Sequence, residues 1–299
     1  MVTVLNEESG ITQLLESLTT QSLLPLEIIV VDGGSTDETL SILKKYSLKH
    51  STVKVFRKPG NRSVGRNFGV SRTKSPLIAF TDAGCIPDPD WLKKLSQPFS
   101  DSKIAIVSGY YRGLSQNIFQ KCLVPYVLVM PDKADKSEFY PATRSMALRR
   151  DVWNKSAGFN PALSHNEDYA FADHLKKLGY SFHFAQDAVV SWLPRKNFKS
   201  ASWMFTRFAI GDIQAGIYRP KVKLLAIRYL IFLFIIFLAF ELPELFWLIG
   251  CLVIIYLTWS ITKNYRYVKD IRAFYWLPVI QVTADISVLF GTLVGLLSK

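Results

Sequence analysis

The chain has 299 residues, 49% of them hydrophobic and 20% charged, which is length for about two domains and too apolar for low-complexity disorder. Its 36 Lys and Arg against 24 Asp and Glu leave a net charge of +12, a surplus that has to be located before it points to any partner. Three cysteines, Cys85, Cys122 and Cys251, lack CxxC or CxxH spacing, which excludes a disulfide-stapled mini-protein and a cysteine zinc site and suggests reduced, intracellular thiols.

The first residues, Met1 to Leu5, already read as a β-strand, as expected of a domain that starts abruptly or of a shortened start; no basic stretch followed by a short apolar run marks a cleaved signal. Ile11, Leu14, Leu15 and Leu18 recur at helical spacing and predict a helix covering a sheet. Leu26 to Val31 is apolar on both faces, like a buried parallel strand. The turn Asp32-Gly33-Gly34-Ser35-Thr36-Asp37 follows, and Ser35 with Glu38 matches a capping box for a helix reaching Tyr46. Val53 to Phe56 predicts a third strand, Ser63 to Ser71 a short helix, and Leu77 to Thr81 a fourth strand ending at Asp82-Ala83-Gly84-Cys85. Pro89 introduces a helix at Trp91 to Leu95, and Ile104 to Ser108 reads as a further strand. Gly113 to Phe139 reads as an irregular or helical excursion over a substrate cleft. Ser145 to Leu148 is a strand, and His165-Asn166-Glu167-Asp168 opens a helix that ends at Gly179. This alternation of strands and helices is α/β grammar.

Beyond residue 200 the composition changes. Residues 201–222 form an amphipathic linker, with Ser202 to Ile217 suited to a membrane interface. Residues 223–299 hold about three apolar segments, Leu224 to Phe240, Leu242 to Ile261 and Ala273 to Leu297, expected to be transmembrane helices. Arg219, Lys221, Lys223 and Arg228 flank the first, and Lys263, Arg266, Lys269 and Arg272 fall between the second and third, whereas the turn from Glu241 to Glu244 has no base. This asymmetry predicts an integral protein of the cell membrane with its soluble part in the cytoplasm; the first segment is marginal, Arg228 being tolerated there if its side chain snorkels, and a helical hairpin that does not fully cross is the alternative. Much of the +12 therefore sits beside the membrane, and without a basic groove interleaved with aromatics no nucleic-acid partner is expected. Asp285, with Gln281 one turn away, is an ionisable group inside an apolar segment; an oligomer contact, a lipid-phosphate pathway and a protonated group in a packed bundle all account for it.

Asn6-Glu7-Glu8, Asp32-Gly33-Gly34 and Asp82-Ala83-Gly84 stand at the C-terminal ends of predicted strands, where open α/β sheets bind ligands. Carboxylates there accept hydrogen bonds from a base or ribose, hold a divalent cation on a diphosphate, or simply cap a turn. Glu167 and Asp168 open a helix, where acidic residues also satisfy the macrodipole. Arg195 and Lys196 suit either a diphosphate or anionic lipid, and His165, three residues before Asp168, is either an assistant to it or an exposed loop histidine.

Taken together, the strings V-T-V-L-N-E-E, E-I-I-V-V-D-G-G-S-T-D, G-R-N-F-G-V, F-T-D-A-G-C-I-P-D-P-D-W-L and N-E-D-Y-A-F-A-D-H-L-K-K-L-G-Y make residues 1–200 resemble the family 2 glycosyltransferases. The resemblance implies a GT-A fold, a Rossmann-like, mostly parallel sheet flanked by helices. It places Val4, Leu5, Glu7 and Asp32 around the nucleoside of a sugar nucleotide, with Arg66 and Asn67 beside the donor. Asp82 takes the first place of the family's D-x-D motif and would bind Mg²⁺ or Mn²⁺, although Gly84 replaces the second aspartate and Gly33 replaces another acidic residue of many relatives. Asp168 falls where the family has its catalytic base, with Glu167 next to it. Met204-Phe205-Thr206-Arg207-Phe208 resembles a degenerate Q-x-x-R-W motif and makes Arg207, with Asp212, a candidate acceptor or diphosphate contact.

The implied activity is transfer of a sugar from a UDP- or GDP-linked donor, by an inverting single displacement, to an acceptor at the membrane. A polyprenyl phosphate or lipid-linked saccharide is the expected acceptor, and an oligomer through the apolar segments is compatible with this arrangement. The competing readings are a membrane polysaccharide synthase and a non-catalytic nucleotide-sugar-binding anchor.

Overall fold

The computed structural model describes residues 1–135, 137 and 139–298. The chain divides into two compact units, Met1–Leu114 with Met130–Leu193, and Ser115–Val129 with the residues from Pro194 onward. Lys136 and Glu138, within the predicted excursion, and Lys299 lie outside the described residues.

The first unit begins with β1 (Val2–Val4), α1 (Ile11–Thr19), β2 (Ile28–Asp32), α2 (Thr39–Lys49), β3 (Val53–Arg57) and α3 (Arg62–Ser71). The three strands form a parallel sheet in the order β1-β2-β3, with Val4 opposite Asp32 and Ile28 opposite Val53. Every residue of β2 is buried, as its unbroken apolar run predicts, and α1 buries Ile11, Leu14, Leu15 and Leu18. The capping box does not form. Ser35 Oγ instead accepts a hydrogen bond from Asn6 N, and α2 starts only at Thr39, whose N–H donates to Asp37 Oδ1. A serine at a strand end has two backbones within reach, and the β1 tip wins it.

The unit continues with β4 (Leu77–Phe80), β5 (Cys85–Pro87), α4 (Trp91–Ser96), β6 (Ile106–Gly113), then, after α5 (Ile118–Val127) of the second unit, β7 (Met146–Arg149), α6 (Arg150–Ser156), α7 (Glu167–Lys177) and β8 (His183–Trp192). These strands make a second sheet in the order β4-β7-β6-β8-β5, tied beside β1 through Thr81 N donating to Met1 O. Here the sheet is mixed: β6 and β8 are parallel, while β4–β7, β6–β7 and β5–β8 are antiparallel. Strand residues encode burial, whereas direction follows from the connection. The long route from β6 to β7 re-enters the sheet at the end where β6 leaves it, which makes that pair antiparallel, so parallel order is confined to the first sheet and one later pair. Strand β6 also starts later than Ile104 and runs on to Gly113. Between this sheet and its helices lies a core of Val70, Ile78, Phe80, Met146, Phe159 and Phe171, in which Phe80 and Phe159 meet edge to face at 5.7 Å.

Helix α3 sits close on the first sheet because it carries glycines on its inner face. A Cβ at Gly65 would stand 2.8 Å from Thr3 Cγ2. That approach is what lowers the next residue, Arg66, into the interior.

The second unit adds α8 (Phe198–Gln214), α9 (Pro220–Ala239), α10 (Leu245–Val268) and α11 (Ala273–Leu297) to α5. The last three are long and apolar enough to cross a membrane, and their large side chains are exposed in the way lipid contact requires, Trp247 at 83%. Helix α8 buries Ala201, Met204, Phe205, Thr206, Ala209 and Ile213, and Ser202 of α8 and Ser287 of α11 share a hydrogen bond of 2.9 Å. Arg228 has a partner within the bundle. It pairs with Asp285, which also accepts hydrogen bonds from Tyr256 at 2.6 Å and from Gln281 at 2.9 Å. In an apolar environment a carboxylate one helix away satisfies the guanidinium.

The contact between α8 and α11 is set by small residues, because a Cβ at Gly291 would stand 2.4 Å from the Thr206 carbonyl oxygen. Gly291→Val is expected to destabilise the protein by about 1–3 kcal/mol in thermal unfolding in detergent. Gly250→Ala, where a Cβ meets nothing within 4 Å, should leave the melting temperature unchanged.

Candidate active site

The ends of β1 and β2 are stitched into one surface. Gly33 N donates to Val4 O at 2.8 Å, Glu7 N to Thr39 Oγ1 at 2.8 Å, and Thr36 N to Asn6 Oδ1 at 2.9 Å. Asp32 is fully buried and accepts from the N–H groups of Gly34 and Ser35 at 3.1 Å, with Arg57 Nε 3.6 Å away. Its carboxylate thus shapes the turn, which Gly34 makes possible at φ +107°. Leu5 is left 55% exposed beside this turn.

Arg66 organises the rest. Its Nη1 donates to Glu167 Oε1 at 2.5 Å, and its Nη2 to Asp82 Oδ1 at 2.8 Å and Thr143 Oγ1 at 2.9 Å. The guanidinium lies over the Phe159 ring, 5.3 Å from its centroid, and the residue is 3% exposed. One side chain therefore joins the end of β4, the start of β7 and the first turn of α7. Asn67, the next residue on α3, spends both ends of its amide on Phe159, donating to its carbonyl at 2.7 Å and accepting from its N–H at 2.9 Å. It acts as a clip on the loop before α7.

Asp168 follows Glu167 and is half-buried. Burial raises the pKa of its carboxyl, and the adjacent Glu167 charge raises it further, against the pull of Arg144 and Arg66. Burial also disfavours the charge on Asp82, but Arg66, Arg144 and Arg62 outweigh it and hold that carboxyl below the ordinary aspartate range. Two nearby carboxylates are thereby driven in opposite directions, the separation expected of groups with different tasks. Glu167, expected as a catalytic group, is 3% exposed and bonded to Arg66, an arrangement suited to positioning Asp168 rather than to touching a substrate.

Arg144 escapes sequence reading. It lies just before β7 in no motif, and the rings it rests on, Tyr111 and Trp192, are distant in sequence. Arg207 and Asp212 lie in the second unit, where Arg207 is over the Trp203 ring at 4.9 Å and Asp212 pairs with Arg219.

Among the described residues no group of three His, Cys, Asp or Glu side chains could enclose a metal ion. Asp82 fits a cation of another kind. Mg²⁺ or Mn²⁺ carried on a diphosphate needs only one or two protein carboxylates, the remaining ligands being phosphate oxygens and water. Asp82, 31% exposed and bonded to Arg66 through Oδ1, offers one carboxylate of that sort.

Removing Arg66 strands two carboxylates. Arg66→Met is expected to cost about 3–5 kcal/mol in thermal unfolding. Glu167→Gln, which keeps an acceptor for Nη1, should cost distinctly less, and the double variant less than the two single losses added together.

The sequence model of glycosyl transferase family 2 matches residues 1–156. Glycosyltransferase AglE of Haloferax volcanii is 23% identical over 220 residues, 72% of this chain and 72% of that one. A Methanococcus voltae protein, dolichyl N-acetyl-alpha-D-glucosaminyl phosphate 3-beta-D-2,3-diacetamido-2,3-dideoxy-beta-D-glucuronosyltransferase, is 23% identical over 218 residues, 67% of each chain. Among solved structures, the mannosyltransferase PcManGT from Pyrobaculum calidifontis, in complex with GDP-Man and Mn²⁺, superposes with a TM-score of 0.62 at 16% identity, over 97% of this chain and 86% of that one. The fold is therefore GT-A, and the chain belongs to glycosyl transferase family 2.

Proposed function

We propose that the protein transfers a sugar from a UDP- or GDP-linked donor to an acceptor presented at the membrane, a polyprenyl phosphate or a lipid-linked saccharide. The observation that carries the reading is the opposition of Asp82 and Asp168 around Arg66: one carboxyl held ionised, the other held basic. The lipid acceptor is supported by the three apolar helices and by the dolichyl phosphate in the name of the Methanococcus voltae relative. The basic residues flanking those helices favour a cytoplasmic site.

In this reading Val4, Leu5, Glu7 and Asp32 form the nucleoside end of the site, and Asp82, held by Arg66 beside the donor, the diphosphate end. An acceptor hydroxyl oxygen attacks the anomeric carbon while its proton passes to a carboxylate oxygen of Asp168. The bond from the anomeric carbon to the diphosphate oxygen breaks, its electron pair leaves with the diphosphate, and the configuration inverts. Mg²⁺ or Mn²⁺ bound with the donor would screen the leaving charge, with Asp82 as its protein carboxylate. Glu167 and Arg66 keep Asp168 in place, and Asn67 holds the loop that precedes it.

Asp168→Asn is expected to lower transfer by about 10²–10⁴-fold while donor binding persists. The assay is label transfer from UDP- and GDP-sugars in membranes containing the protein, with and without Mn²⁺ or Mg²⁺, scored after organic extraction. Organic-soluble label lost in the variant supports the lipid acceptor, label in insoluble polymer points to a polysaccharide synthase, and donor binding without transfer to a binding anchor.

The pH profile supplies a separate check. A base must be deprotonated to act, and the Asp168 pKa is raised, so kcat/KM should fall on acidification at a pH above the ordinary aspartate range. Glu167→Gln removes a neighbouring negative charge, and the acid limb should move to lower pH. A limb that stays in place in this variant argues against Asp168 as the titrating group.

A further inference from the structure

Two guanidinium groups act on the same pair of carboxylates, and the protein employs them differently. Arg66 is committed, with hydrogen bonds to Glu167, Asp82 and Thr143. Arg144 makes no hydrogen bond and no ion pair to any described residue, and its Nε is buried without a partner. Its guanidinium carbon lies 5.3 Å from the centroid of the Tyr111 ring and 5.2 Å from that of Trp192. Its charge nonetheless acts on both Asp82 and Asp168.

A cation withdrawn from water normally recovers the loss through an ion pair and hydrogen bonds. Arg144 recovers part of it from aromatic faces, which hold the planar group and leave the N–H donors along its edge uncommitted. Such an edge matches an oxyanion with two oxygens to offer, and phosphate is the oxyanion that this chemistry brings. Demand for a protein cation is raised by Gly84, which leaves Asp82 as the single carboxylate of its turn and so weakens the protein's hold on any metal that accompanies a diphosphate.

Building on the nucleotide-sugar reading, we propose that Arg144 is a substrate-binding residue of this site, its guanidinium edge taking a phosphate oxyanion of either the donor diphosphate or a lipid acceptor. Tyr111 and Trp192 are its positioning residues. They fix the plane in which the fork is presented.

The test uses the full chain in detergent, with Arg144→Gln and Arg144→Lys beside the wild type and a thermal melt of each. Binding of UDP and GDP is measured calorimetrically with and without Mn²⁺, and binding of detergent-solubilised polyprenyl phosphate in parallel. Arg144→Gln is expected to weaken at least one of these probes by about 10- to 100-fold, with Arg144→Lys between it and the wild type because charge is kept and the fork is lost. Weakened UDP or GDP binding assigns Arg144 to the donor, and weakened polyprenyl phosphate binding alone assigns it to the acceptor. Should Arg144→Gln fail to fold, Arg144→Lys is read in its place, since it retains the charge beside Asp82. Wild-type affinity for every probe in the folded variants overturns the inference and leaves the function standing. A wild-type protein that binds none of the probes overturns both.

Discussion

The salt bridge from Arg66 to Asp82 and Glu167 is the constraint on which the site depends. Its cost in desolvation is met by hydrogen bonds on both terminal nitrogens and by the face of Phe159, so breaking it is far worse than never having built it. Because its partners follow β4 and open α7, it holds together two segments that lie 85 residues apart in the chain (separations from Arg66 of 101 and 16). The glycine before it lies where α3 comes close to β1, a Cβ there standing 2.8 Å from Thr3 Cγ2.

The charges of this cluster give it a direction. Asp82, Glu167 and Asp168 are three carboxylates among the guanidiniums of Arg66, Arg144 and Arg62, so the negative charge of an arriving diphosphate has to be met by a cation that comes with it or by a guanidinium turned toward it. Burial first, and then the adjacent Glu167 charge, keep the Asp168 carboxyl basic. The roles proposed for Asp168 and Arg144 rest on one difference: Arg66 gives its hydrogen bonds to Glu167, Asp82 and Thr143, while Arg144 Nε has no partner among the described residues.

The second unit applies the same physics in an apolar setting. Arg228 and Asp285 would each be expensive alone within a hydrocarbon layer; paired, and bonded to Tyr256 and Gln281, they become a polar tie among α9, α10 and α11. Packing of α8 on α11 depends on small residues, since Gly291 and Gly295 let the two helices come within contact.

Periodicity alone was enough for α1, the fully buried β2 and the three long apolar helices, because burial on one face, on both faces, or in lipid leaves a repeat in neighbouring residues. The acidic strand ends Asp32 and Asp82 were legible because each closes a strand with its own turn chemistry, and Asp168 because it opens a helix and falls in a string that resembles the family. Strand direction in the second sheet, the use of Ser35 by Asn6 instead of α2, the employment of Glu167 and Asn67 within the protein, and Arg144 between Tyr111 and Trp192 were decided only by tertiary structure. Each of these depends on partners tens of residues away, and hydrogen bonds and ion pairs are satisfied by whichever group the fold brings within about 3 Å, a choice that no local pattern of residues contains.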